Sequence, residues 1–440
     1  MIGFDIFCRV IDHFGDAGIA WRLGKQLKQL APTAPVRLWV DDLPTLARIV
    51  PNLHPLRSCQ SINQVTICQW KEAVAEAEAE TGTGAEAGTE TKAKSRTGAK
   101  THCTGAPGVN VAPYPAWPTP YPVVIEAFAG GLPAAIRQQL GLQHLWLVLD
   151  HLSAEPWVDS IHKRANSPQP HPEQYFFYAP GFTPHTGGLL RENGLLSQWS
   201  RWQQLPKALQ WQQLQHSLGL STAMLQRLAM PDNRSYFIFQ YPDAPVPELL
   251  HYLAQLSSPS VVFLAADQPW AHLQDSLPAS SPVLIHQLPF ISHRNFDRLL
   301  WSTDMNFVRG EDSWIRALWA QKPFIWQPYP QAERTHHLKL EAWLQQTKLP
   351  FAAQQLQRHW VNSADRRRYL NPGLAKTRLP ALHRSPAMNF QALRPAEQAA
   401  WGQALRAQVH RLSHQPDLAR QLIDFCRRQL AQRSAILPMT

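Results

Sequence analysis

The sequence predicts an α/β protein built as two Rossmann-like lobes facing a central cleft, on three observations. At 440 residues the chain exceeds what one ordinary hydrophobic core supports. It opens with strand, loop, helix and strand in succession, the βαβ unit of a parallel, doubly wound sheet. From residue 233 a second series of strands begins, each followed by a helical or turn segment.

Taken in order, Phe4 to Val10 is a β-rich run and Asp12-His13-Phe14-Gly15-Asp16-Ala17-Gly18 is turn chemistry. Ala20, Leu23, Leu27 and Leu30 then recur at helical spacing, and Val36 to Val40 is the second strand. Residues 76–122 are an Ala/Glu/Thr/Gly tract followed by a proline-rich run. They hold too little apolar surface to offset ordering entropy and are expected to form a disordered surface insert. Order resumes at Val123, with a helix near Pro133 to Leu140 and a strand at Leu145 to Leu149. The first lobe is thus expected over 1–204, and a helical, Gln- and Leu-rich connection over 205–232. The second lobe, 233–416, carries strands at Tyr236 to Tyr241, Val261 to Ala266, Val283 to Leu288, Met305 to Val308 and Phe324 to Gln327. Residues 417–440 read as a basic amphipathic helix that packs back across the lobes.

Composition narrows the function classes. Hydrophobic residues at 44% and charged ones at 17% exclude global disorder. The five cysteines show no C-x-x-C pair and no disulfide-like spacing, which fits a reducing, cytoplasmic compartment. No 18-residue window is apolar and free of charge, so no membrane span is expected, and Met1 to Cys8 carries Asp5 and reads as a strand rather than a signal peptide. A net charge of +10 favours an acidic partner. Nucleic acid is not expected, because the basic residues form no dense run beyond Arg366-Arg367-Arg368. No metal is expected either: His336-His337 lacks a second paired histidine or a cysteine cluster. The absence of G-x-S-x-G, P-loop and G-x-G-x-x-G patterns counts against serine hydrolases, NTPases and dehydrogenases.

Three constellations can carry chemistry. Asp12 and Asp16 lie where strand one ends and helix one begins, the edge at which open α/β sheets bind ligands, and Gly15 and Gly18 let the backbone come close. One carboxylate can take a proton while the other orients the nucleophile. Alternatively, Asp16 only caps the helix. Arg309-Gly310-Glu311-Asp312-Ser313 sits at a second strand-to-helix junction. There a helix N-terminus with Arg309 and Ser313 suits a diphosphate, Gly310 allows close approach, and Glu311 or Asp312 suits sugar hydroxyls. The plainer alternative is an acidic first turn answering the helix dipole. Phe239, Tyr241, Phe290 and Phe296 are rings near predicted strand ends, able to stack on a base or line a sugar pocket, or else simply to fill core.

Taken together, these segments resemble one known family. The matching residues are Phe7-Cys8-Arg9-Val10-Ile11-Asp12 with Phe14-Gly15-Asp16, Val36-Arg37-Leu38-Trp39-Val40-Asp41-Asp42-Leu43, Leu152-Ser153-Ala154-Glu155-Pro156-Trp157, Gly181-Phe182-Thr183 with Thr186-Gly187-Gly188-Leu189, Asn306 to Ser313, and Trp326 with Tyr329-Pro330-Gln331 and His336. The chain is similar in these to the EarP family, the protein-arginine rhamnosyltransferases of bacterial elongation factor P. The resemblance implies a GT-B fold and an inverting transfer of L-rhamnose from dTDP-β-L-rhamnose to one arginine of elongation factor P, with no cofactor. It implies Asp16 as general base with Asp12 as its partner, Glu311 as essential for activity, and donor contacts from Arg309, Asp312, Ser313, Phe239, Tyr241, Phe290 and Phe296. His293 stands where the family pattern leads to a donor-contacting glutamine, and Val148-Leu149-Asp150-His151 stands where it leads to Asn-Leu-Glu-Tyr. A GT-B enzyme with a lipid or small-molecule acceptor, or a non-catalytic binding protein, are the competing readings.

Overall fold

The computed structural model describes residues 2–12, 14–70, 117–331, 333–370 and 388–436. Its first sheet has seven strands: β1 (Phe4–Cys8), β2 (Val36–Val40), β3 (Cys59–Ile62), β4 (Val65–Gln69), β5 (Val123–Ala127), β6 (Leu145–Leu149) and β7 (Tyr175–Tyr178). They lie side by side as β3-β4-β2-β1-β5-β6-β7, and only the β3/β4 pair is antiparallel. The second sheet is wholly parallel, with β8 (Arg234–Ile238), β9 (Ser260–Leu264), β10 (Val283–Gln287), β11 (Met305–Arg309) and β12 (Phe324–Gln327) in the order β10-β9-β8-β11-β12. β1, β2, β5 and β6 are buried along their whole lengths, which is why they read as nearly continuous apolar runs, interrupted by Asp5, Arg37 and Glu126, rather than as alternating ones. Asp5 is the polar exception inside β1. Its carboxylate accepts from Arg37, from the Trp39 indole at 2.9 Å and from the Tyr121 backbone N–H at 2.7 Å, so the buried charge is paired and hydrogen-bonded.

In both sheets the strand order reverses at the first strand. β1 pairs with β2 on one side and β5 on the other, and β8 pairs with β9 and β11. Ligands of open α/β sheets bind outside the carboxyl ends of strands at such switch points. The loops after β1 and β11 carry the first two constellations; of the third, Phe239 and Tyr241 follow β8 while Phe290 and Phe296 follow β10, and the two-lobed α/β architecture of GT-B type is the one observed.

Several sequence expectations change. The expected connection over 205–232 belongs to the second lobe: Trp211, Leu214, Leu218, Met224 and Leu228 are buried in its core, and Leu195 and Trp202 already join it. The chain therefore crosses before Leu195, not after residue 204, because an amphipathic helix is stable only once its apolar face is covered. The final helix, Leu418–Ile436, returns to the first lobe and buries Leu418, Leu422, Ile423 and Phe425 there. Of the expected disordered insert, 76–116 lies outside the described residues. Its end is packed: Trp117 rests against Trp39 at 5.1 Å and Phe7 at 6.2 Å. Cys59 and Cys68 face each other across the β3/β4 pair and are joined as a disulfide, a pairing that linear spacing did not indicate. His336 and His337 do find a third partner, Asp365, which also receives Arg334. His336 Nδ1 accepts from the Gln331 backbone N–H, so its other nitrogen is the donor to Asp365. No helix among the described residues is long and apolar enough to cross a membrane.

Candidate active site

The turn after β1 is braced from within the next helix. Asp16, in the first turn of Phe14–Leu30, is 4% exposed and its Oδ2 accepts the backbone N–H groups of Ile11 and Asp12, both at 2.9 Å. This brace fixes the backbone that carries Asp12. Across the cleft, the Tyr241 hydroxyl donates to the Asp12 carboxylate at 3.2 Å. Burial, then the Asp12 charge, pushes the Tyr241 phenol well above its ordinary pKa, so it remains a donor.

Two glycines frame Asp12. A Cβ on Gly15 would lie 2.9 Å from Asp12 Oδ2, and one on Gly310 would lie 2.8 Å from the same oxygen and 3.2 Å from the Tyr241 hydroxyl. Gly310 also has φ +60, a conformation that L side chains avoid. Gly18 is less constrained, since its added Cβ would meet Asp312 Oδ2 at an ordinary 3.5 Å. Gly310→Ala is accordingly expected to displace Asp12, abolish most activity and cost roughly 1 to 3 kcal/mol of stability. Activity together with a urea melt checks this; a wild-type result in both would mean the carboxylate tolerates displacement.

Second-lobe residues wall the cleft. Asp12, Gly15, Phe239, Phe290, His293, Phe296, Arg309, Gly310, Glu311, Asp312 and Ser313 line one cavity that opens to solvent. The Arg309 guanidinium lies over both Phe239 and Tyr241, 4.5 and 4.6 Å from the ring centroids. Phe296 packs edge-on against Phe239 at 6.1 Å. Ser313 accepts from the Arg309 N–H at 3.1 Å and donates to the Arg309 carbonyl, so its hydroxyl holds the junction between β11 and the helix Asp312–Ala320. His293 begins the helix His293–Ser302. Burial, aided by Arg316, drives its pKa well below the ordinary value, and it faces the cavity neutral. Asp16 and Tyr241 are not wall residues; they act on Asp12 from behind and beside it.

Asp312 has a role the sequence did not reveal. Arg22 of the first lobe grips Glu192 through Nε and Nη2 at 2.6 and 2.8 Å and reaches Asp312 through Nη1 at 2.5 Å. Arg316 holds the other Asp312 oxygen at 2.9 Å and both oxygens of Asp297. Burial opposes ionisation here, yet Arg316 and Arg22 outweigh it and hold Asp312 well below the usual carboxylate range. Arg22 likewise brings Glu192 down to about 2 against its burial. Asp297 goes the other way, raised by burial with Arg316 opposing. The network links the two lobes beneath the cavity. At its rim, Arg48 bonds Asp267 at 2.6 Å and lies over Phe14 and Phe290, which meet edge-on at 5.3 Å. Phe14 was legible as part of the first motif; Arg22, Arg48 and Glu192 carried no local signal.

Comparison with known proteins finds relatives over most of the chain. The family model described as elongation factor P (EF-P) rhamnosyltransferase EarP matches residues 4–87 and 91–427. A protein-arginine rhamnosyltransferase of Shewanella oneidensis is 34% identical over 437 residues, covering 90% of this chain and 95% of that protein. One from Pseudomonas aeruginosa is 34% identical over 358 residues, covering 78% of this chain and 81% of that protein. A structure solved for EarP-mediated arginine glycosylation of translation elongation factor EF-P has the same fold, with TM-score 0.50, 22% identity and coverage of 97% and 99% of the two chains. The chain therefore belongs to the EarP family of protein-arginine rhamnosyltransferases.

Proposed function

We propose that this enzyme transfers L-rhamnose from dTDP-β-L-rhamnose to an arginine of elongation factor P with inversion, and that Asp16 and Asp12 carry the chemistry. The observation that supports this most is the meeting of lobes at Asp12: a first-lobe carboxylate touches Tyr241 and Gly310, next to Arg309 and the N-terminus of Asp312–Ala320. Asp12 and the donor groups therefore face the same space, with Asp16 directly behind the turn that carries Asp12. A helix N-terminus and a guanidinium stabilise the developing charge on a departing diphosphate. Phe239, Phe290 and Phe296 offer faces to the thymine and sugar. No cofactor is invoked.

The acceptor side follows from the nucleophile. A guanidinium stays protonated at physiological pH and attacks poorly, so it must be fixed by carboxylates and relieved of a proton as the new bond forms. Asp12 holds the fork and Asp16 receives the proton, while the bond from the sugar to the diphosphate breaks and the electron pair leaves with the β-phosphate. Attack from the face opposite the leaving group turns a β donor into an α product. NMR of the glycosylated acceptor reads that anomer directly; a β linkage would overturn the inverting assignment.

Arg309→Ala is expected to weaken dTDP binding by roughly 1.5 to 3 kcal/mol, the value of a hydrogen bond to charge. It also removes the cation held between Phe239 and Tyr241. Ser313→Ala should act in the same direction but less, because the serine works through the Arg309 backbone. Calorimetric titration with dTDP measures both, and wild-type affinity in Arg309→Ala would place the diphosphate elsewhere.

A further inference from the structure

β6 is followed by Asp150 and His151, and His151 reaches across the cleft. Its Nδ1 lies 3.1 Å from Glu311 Oε2, joining the first lobe to the residue that opens the helix Asp312–Ala320. The imidazole stacks on Phe128 at 4.8 Å with planes 17° apart, and the His151 backbone N–H donates to Asp150 at 2.7 Å. Phe128 and Ala129 have φ of 61° and 50°, a conformation unfavourable for residues with side chains. The loop after β5 thus holds a strained turn that sets the Phe128 ring beneath His151. The pair is reachable from solvent, with side chains 42% and 18% exposed.

The charged groups facing the ring are Glu311, Asp16 from the helix Phe14–Leu30, and Lys339 from the helix His336–Thr347, with Asp150 beside it. Burial lowers the imidazole pKa, but the hydrogen bond and charge of Glu311, then the charge of Asp16, outweigh burial and Lys339, and the pKa is raised. The protonated ring is therefore the form that the carboxylates hold.

We infer that His151 is a stand-in for the acceptor: its imidazolium occupies Glu311 in the unloaded cleft, and the acceptor guanidinium displaces it. The inference rests on the arginine-acceptor reading above. A guanidinium is charged at every working pH, whereas His151 is charged only below its own pKa. The two cations compete for Glu311 in acid, and the neutral ring yields to the guanidinium in alkali. If only the unprotonated form admits the acceptor, the apparent KM scales inversely with that fraction and rises by up to about tenfold per pH unit below the histidine pKa. Glu311 also lines the donor cavity, so the donor KM is followed alongside, and a change confined to the acceptor KM is expected. His151 acts here as a positioning residue, not in bond making.

Steady-state transfer to purified elongation factor P, from about pH 6 to about pH 8.5, tests this in the wild type, His151→Phe and His151→Gln. Phenylalanine keeps the stack on Phe128, and glutamine keeps a neutral hydrogen bond to Glu311. The expected result is a wild-type acceptor KM that rises in acid, with both variants flat near the wild-type alkaline value. Either variant retaining the wild-type profile, or raising acceptor KM equally at every pH as a purely structural contact would, overturns the inference. If the wild type transfers no sugar to arginine at any pH, the proposed function fails and this inference with it.

Discussion

Asp16→Asn is expected to lower sugar transfer by about a hundredfold or more while leaving donor affinity and melting temperature near wild type, the scale of losing a general base. The structure makes this substitution discriminating. Asp16 already works as a brace, accepting two backbone N–H groups through Oδ2. An asparagine side-chain oxygen can accept the same pair, so the turn carrying Asp12 survives, as do most cap-like interactions when Asn replaces Asp. What disappears is the capacity to take a proton. Activity falling only in step with thermal stability would reduce Asp16 to the brace. Asp12→Asn completes the comparison: it weakens the contact with Tyr241 and should impair acceptor engagement as well as transfer, with dTDP still bound.

The largest stability effect is expected at Arg22. Replacing it with methionine leaves Glu192 and Asp312, 23% and 13% exposed, without their shared cation, a loss that reaches roughly 3 to 5 kcal/mol where such charges are fully buried. Arg22 is 1% exposed and joins residues 170 and 290 positions away. The loss therefore couples to the seating of one lobe on the other, and donor binding should fall with it. Arg48 supplies the contrast. Its bond to Asp267 is half-exposed on the rim, where such pairs contribute about 0 to 1 kcal/mol, so Arg48→Met should barely change stability. Urea denaturation of the two variants separates them; equal and small losses would mean the Arg22 network is no more than a surface pair.

How much of this was legible depended on burial. Val36–Val40, Leu145–Leu149 and Phe324–Gln327 were read to the residue because strands covered on both faces are nearly continuous runs of β-branched, leucine and aromatic side chains. β3 was not, since Cys59–Ile62 alternates exposed and half-buried positions on a sheet edge. β7, Tyr175–Tyr178, is also an edge strand, and nothing in its half-buried aromatic run separated it from loop. β8 stops at Ile238 rather than Tyr241 because Phe239 to Tyr241 turn into the cleft, where local β propensity yields to the site. The loops after β1 and β11 were legible because turn residues and acids collect where strands end. Asp312 was read as a donor contact; it lines the cavity and is also held by Arg316 one turn on and by Arg22, a partner 290 positions away that no sequence window contains. His151 was visible only as a departure from the family pattern until the fold set it against Glu311.

The account is tested most directly by peptide mapping after the enzyme is incubated with elongation factor P and dTDP-β-L-rhamnose. One deoxyhexose is expected on one arginine, formed by the wild type and nearly absent with Asp16→Asn under conditions where both bind dTDP. Donor turnover without any gain on the acceptor, or an Asp16→Asn enzyme that glycosylates as fast as the wild type, would contradict it.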